Sequence, residues 1–124
     1  MKQQNFSVTK RLGSFRHAFN GLRIMIREEH NSRIHILATL VVVIAGFALK
    51  ITPFEWLVVI LAIGFVITTE LVNSAIENLS DFVSPEKQDM IKKVKDLSAA
   101  AVLICAIVAL VVGVVVFLPK IIHH

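Results

Sequence analysis

Trp56-Leu-Val-Val-Ile-Leu-Ala-Ile-Gly-Phe-Val-Ile-Thr-Thr-Glu70-Leu-Val-Asn73-Ser-Ala-Ile76, closed at once by Glu77, decides how this chain is read. Apart from hydroxyls, one carboxylate and one amide, the run is apolar and long enough to span a bilayer as a helix. An acidic residue at the centre of such a helix costs roughly 2.5–3.5 kcal/mol on insertion scales. Carboxylates and an amide at or just inside a membrane boundary therefore call for a partner or a ligand that offsets the cost.

The rest of the composition agrees with a membrane setting. Of 124 residues, 56% are hydrophobic and 18% charged, and the mean hydropathy is +0.75. A soluble domain of this length cannot hide that much apolar surface in one core. The reading is a single integral membrane domain over residues 1–124, all-α. The polar start, Met1 to Arg11, lacks the apolar core of a signal peptide. Cys105 is the sole cysteine, which excludes an intrachain disulfide and a cysteine metal cluster. Within Leu103-Ile-Cys-Ala-Ile107 it reads as a small apolar packing residue.

Three spans and one surface helix are expected. Val8, Leu12, Phe15, Phe19, Leu22 and Ile26 recur at steps of four and three, so residues 8–29 form an amphipathic helix with its basic side chains mostly off the stripe. Such a helix suits the membrane surface or packs on the spans of its own chain. The first span is expected over 34–51, with His35 at an interface, and Thr52-Pro53 breaks it. The second span covers 54–76, its helix continuing in water to Asp81 or Val83. Ser84-Pro85-Glu86 reads as a new helix start, and a polar helix to Asp96 leads into the third span, 98–118, closed by Pro119. His123 and His124 say nothing by themselves about function.

The basic residues orient the spans. Eleven lie before the first span or between the second and third; only Lys50 and Lys120 lie on the other side. The amino terminus and the loop 81–96 are therefore expected in the cytoplasm. The basic pI, about 9.6, is explained by these flanks without nucleic acid.

Glu70, Asn73, Glu77 and Asp81 follow at steps of three, four and four, which places them on one helical face running toward the cytoplasm. Lys92, Lys95 and Asp96 before the third span, and Glu28, Glu29, His30 and Arg33 before the first, reach the same boundary. Carboxylates bind hard divalent cations, and Mg2+ typically takes one or two of them together with substrate phosphates. Cationic side chains neutralise transferred phosphoryl charge, and a desolvated glutamate can serve as a general base. Spacing alone leaves open a catalytic site, a proton relay or ion conductor, and a structural interhelical pairing. No GxxxxGK[ST] or GxGxxG motif is present.

Glu70-Leu-Val-Asn73-Ser-Ala-Ile-Glu77, followed by Asp81 and Lys95-Asp96-Leu-Ser-Ala-Ala-Ala-Val102, resembles the bacterial diacylglycerol kinase family of small membrane lipid kinases. The likeness extends to Gly21-Leu-Arg23, Glu29, Arg33 and the order of the spans. It implies a homotrimer with sites shared between subunits, in the bacterial inner membrane, that transfers the ATP γ-phosphate to a lipid hydroxyl with Mg2+. It further implies Glu70 as general base, Glu29 and Glu77 as holders of the metal and nucleotide phosphates, and Asn73 as a group orienting the base or the acceptor. Lys95 would contact phosphate, with Asp81 and Asp96 completing the nucleotide site. Diacylglycerol is the acceptor first expected, and undecaprenol the alternative. The likeness departs from the proteobacterial form at His35, where that form carries an acid, and at Ser98-Ala99, where it has Gly-Ser. Arg33-Ile-His35 looks more like the Gram-positive branch, many of whose members phosphorylate undecaprenol.

Overall fold

The computed structural model describes residues 8–84, 86 and 88–123. Four helices follow in order: α1 (Val8–Glu28), α2 (His30–Ala48), α3 (Pro53–Val83) and α4 (Asp89–Ile122). The described residues contain no strand. Three of the helices, α2, α3 and α4, are long and apolar enough to cross a membrane. At 1.5 Å per residue, α3 is about 46 Å long and α4 about 51 Å, well beyond a hydrocarbon core of about 30 Å. Each therefore carries a membrane span and a further stretch outside it.

α1 and α2 are parted at a single residue. Glu29 is extended (φ −106°, ψ 108°), although its N–H still bonds the Met25 carbonyl at 3.0 Å. The freed carbonyls at the end of α1 are taken by Arg33: Nε donates to the Ile26 carbonyl at 2.8 Å and Nη2 to that of Arg27 at 2.6 Å. A guanidinium suits this place because a helix ends in unpaired carbonyls and partial negative charge. Along α1, Val8, Leu12, Phe15 and Phe19 remain exposed and only Met25 is buried. The amino-terminal part of the apolar stripe is thus not packed on the chain's own spans, whereas Leu22, farther along it, is half-buried.

The turn between α2 and α3 is built tightly. α2 ends at Ala48, short of the boundary expected at Ile51. Lys50 then adopts a left-handed conformation (φ 53°), and Thr52 caps α3. Thr52 and Glu55 form a reciprocal capping box: the Glu55 N–H donates to Thr52 Oγ1 at 3.2 Å and the Thr52 N–H to Glu55 Oε1 at 2.9 Å. Ile51, Val59 and Val116 form a small buried core here, with Val42, Trp56 and Phe117 packed against it. Trp56 and Phe47 meet at 4.9 Å between ring centroids.

Two expected boundaries are corrected. Ser84 does not start a helix; it ends α3 in an extended conformation, its N–H bonded to the Ser80 carbonyl and its hydroxyl donating to that of Glu86. α4 begins only at Asp89, after Gln88, where an acidic first turn meets the positive end of the helix. Pro85 and Lys87 lie outside the described residues. Nor does Pro119 close the last helix, which runs on to Ile122. A proline so near the end forfeits one hydrogen bond, and the final turn still forms, with the His123 N–H bonding the Pro119 carbonyl at 3.0 Å.

α3 and α4 make the most extensive helix pair. Their cross-links pair residues in antiparallel order: Lys120 with Glu55, Cys105 with Thr69, Ser98 with Asn73 and Lys95 with Asp81. Most large apolar side chains of the spans, among them Ile60, Phe65 and Leu110, point outward. That outward apolar surface is what a bilayer solvates.

Candidate active site

The polar face of α3 is anchored at three levels, each by a different partner. Deepest is Glu70, whose side chain is 7% exposed; its Oε1 lies 2.9 Å from His35 Nε2 on α2. A lone carboxylate buried in an apolar span is strongly disfavoured, and a close N–H donor is what makes it tenable. One turn nearer the helix end, Asn73 Oδ1 accepts a 2.6 Å hydrogen bond from the buried Ser98 hydroxyl on α4. Farther along, Lys95 Nζ lies 2.6 Å from Asp81 Oδ1. Lys95 stands before the third span, and its pKa is raised above the ordinary lysine value. The hydrogen bond to Asp81 is the main cause; partial burial opposes it, and the charges of Asp81 and Glu77 add to it. Glu77, Asp81 and Lys95 thus form one electrostatic neighbourhood.

The remaining candidates fall less neatly. Asp96 pairs with Lys92 on its own helix at 2.6 Å, both side chains largely exposed. Glu29 is half-buried at the break between α1 and α2. Arg33, grouped by sequence with the carboxylates, spends its guanidinium on the end of α1. Among the described residues no three acidic, histidine or cysteine side chains form a metal-binding group. Glu29 and Glu77 each offer hard oxygen donors, the chemistry Mg2+ takes when phosphates supply the other ligands.

Two contributors were not singled out from sequence as site residues. His35, which the sequence places at a membrane interface, is the partner of Glu70. Ser98 was noted only as a departure from a family pattern and holds Asn73. The signal available for both was position: each is a polar residue at the near end of an apolar span, level with the polar face of α3.

The class defined by this fold and site is an all-α integral membrane protein with a polar site at one end of its spans. A family profile described as Prokaryotic diacylglycerol kinase matches residues 16–117. Undecaprenol kinase of Bacillus subtilis (strain 168) is 36% identical over 107 residues, 86% of this chain and 87% of that protein. Diacylglycerol kinase of Synechocystis sp. is 34% identical over 109 residues, 87% of this chain and 62% of that protein. Diacylglycerol kinase of Escherichia coli (strain K12) is 30% identical over 95 residues, 77% of this chain and 78% of that protein. The chain belongs to the prokaryotic diacylglycerol kinase family. It is a lipid kinase and a bacterial integral membrane protein, which decides between the kinase reading and the ion-conducting alternative.

Proposed function

We propose that the protein transfers the γ-phosphate of ATP to the hydroxyl of a membrane lipid at the cytoplasmic face. The observation that carries this reading is the buried Glu70 carboxylate on the same helix face as Asn73 and Asp81, with Lys95 beside Asp81. In this reading a lipid hydroxyl reaches Glu70 from the membrane while the nucleotide lies toward the water, over Lys95, Asp81 and Asp96. Glu70 removes the hydroxyl proton as the oxygen attacks the γ-phosphorus. The bond from that phosphorus to the bridging oxygen breaks, and ADP leaves with its electron pair. Asn73, its carbonyl end held by Ser98, offers its amide N–H bonds to the acceptor or the phosphate. Lys95 neutralises phosphate charge.

Mg2+ would be held by Glu29 and Glu77 and would supply charge neutralisation on the phosphates when bound. The amino terminus and the loop 81–96 are assigned to the cytoplasm by the basic flanks. A homotrimer, with the exposed stripe of α1 on the membrane surface, is the assembly assigned from the family resemblance.

Undecaprenol is the acceptor we place first, because the relative named undecaprenol kinase is matched over nearly the whole of both chains. Diacylglycerol is the second reading, favoured by the relatives named diacylglycerol kinase. The test is transfer of labelled γ-phosphate, with Mg2+, by the purified chain in lipid, offered each acceptor separately. Label in undecaprenol above diacylglycerol supports the first acceptor, and the reverse order supports the second. Glu70→Gln is expected to lose roughly 10²–10⁴-fold in kcat, the range for a general base. Full activity in Glu70→Gln would remove the assignment of the base, and no label in either lipid from wild type would overturn the reaction.

A further inference from the structure

His35 has no part in the mechanism as written, yet it is the polar side chain that meets the Glu70 carboxylate among the described residues. The two come from different helices and stand 35 positions apart in the chain. The imidazole is also built in. His35 is half-buried and lines an apolar cleft of about 110 Å³ between α2, α3 and α4, beside Val42, Val59, Val66 and Val112. A hydrogen bond to a charged group is worth more in such surroundings than in water, because the Glu70 carboxylate is buried and little solvent competes for it.

A glutamate side chain has three torsions and two equivalent oxygens. Left alone in a span it would sample several directions, and a base out of line with its acceptor loses rate steeply. A donor fixed on a neighbouring helix removes both freedoms at once. It holds one oxygen and thereby sets the direction of the other.

We propose that His35 is a positioning residue of the phosphotransfer: its Nε2–H holds Oε1 of Glu70, so that Oε2 is the oxygen that takes the proton from the lipid hydroxyl. The inference rests on the assignment of Glu70 as base. The proton passes from the hydroxyl to Oε2, the hydroxyl oxygen bonds the γ-phosphorus, and ADP leaves. His35 neither gives nor takes a proton in the step; it carries its own on Nε2 throughout.

The test compares three variants of the full chain in lipid, each assayed for kcat and for the KM of ATP with the acceptor that wild type prefers. His35→Gln keeps an N–H donor near the place of the imidazole Nε2. His35→Asn has the same group but reaches only as far as Nδ1, and His35→Leu has none. His35→Gln is expected within about threefold of wild-type kcat, and His35→Asn and His35→Leu about 10–100-fold below it, as loss of a hydrogen bond to a charged group implies. The KM for ATP should stay unchanged in all three, since the nucleotide residues are untouched. Wild-type kcat in His35→Leu, or an equal loss in His35→Gln and His35→Asn, overturns the inference. If His35→Leu fails to fold, the pair of amides still decides it. Glu70→Gln, run alongside, separates the two failures: an active Glu70→Gln removes the base itself. An inactive Glu70→Gln with a fully active His35→Leu removes only the role of His35.

Discussion

Ser98, at the start of the span in α4, donates to Oδ1 of Asn73 on α3 at 2.6 Å, so the amide of Asn73 has its carbonyl end fixed. A serine at the start of one span thus orients a side chain in another. Ser98→Ala should keep the fold, because it removes one hydroxyl without changing volume much. Its kcat should drop by about 5–10-fold, equivalent to the roughly 1 kcal/mol of an ordinary hydrogen bond. Steady-state phosphate transfer checks this, and an unchanged kcat would mean that the amide is held by other means.

Lys95 and Asp81 are bonded to each other but are assigned unequal parts. Lys95→Met removes the cation proposed to meet phosphate, and the KM for ATP should rise with kcat/KM falling by about 10²-fold, the scale of one lost electrostatic contact. Asp81→Asn leaves the ammonium in place and should cost only a few-fold. ATP titrations of both variants measure the difference; an equal loss would make the pair a structural clasp.

Gly46 faces the ring of Trp56 across the turn between α2 and α3. A Cβ there would stand 2.6 Å from Trp56 Cη2 and 3.2 Å from Ile51 Cδ1. The indole is rigid and its neighbours belong to the buried core, so the clash is not cheaply relieved. Gly46→Ala should destabilise by about 1–3 kcal/mol, the usual cost of overpacking. Thermal unfolding in detergent reads the shift, while kcat at low temperature should hold, because the site lies at the other end of the spans.

The capping box gives a smaller effect at the same turn. Thr52→Ala should cost about 1 kcal/mol and Thr52→Ser much less, since serine keeps the accepting oxygen. Unfolding midpoints of the two variants, compared side by side, test it.

The architecture was largely open to reading from the chain. Long apolar runs have few ways to satisfy their backbone in lipid, and at Thr52-Pro53 the proline falls at the first turn of a new helix capped by Thr52. Local signals do not fix boundaries that a neighbour decides: Ser84 caps the end of α3 rather than the start of α4, and Pro119 sits too near a terminus to stop a helix. Glu70, Asn73, Glu77 and Asp81 could be aligned from their spacing because all four share one helix. His35 and Ser98 could not be paired with them, because helical periodicity says nothing about which face of one helix meets which face of another. Arg33 shows the same limit from the other side. Its charge suggested a phosphate partner, but the open end of α1 lay closer.

The break at Glu29 sets the two proposed metal ligands on unlike supports. Glu77 belongs to a continuous rod, on which its axial distance from Glu70 is about 10 Å and cannot change without unwinding α3. Glu29 stands on a joint between two helices, where one residue's dihedral angles govern how α1 leaves the spans. One carboxylate is therefore a fixed gauge between membrane and water, and the other owes its place to a single extended residue that Arg33 ties to the end of α1.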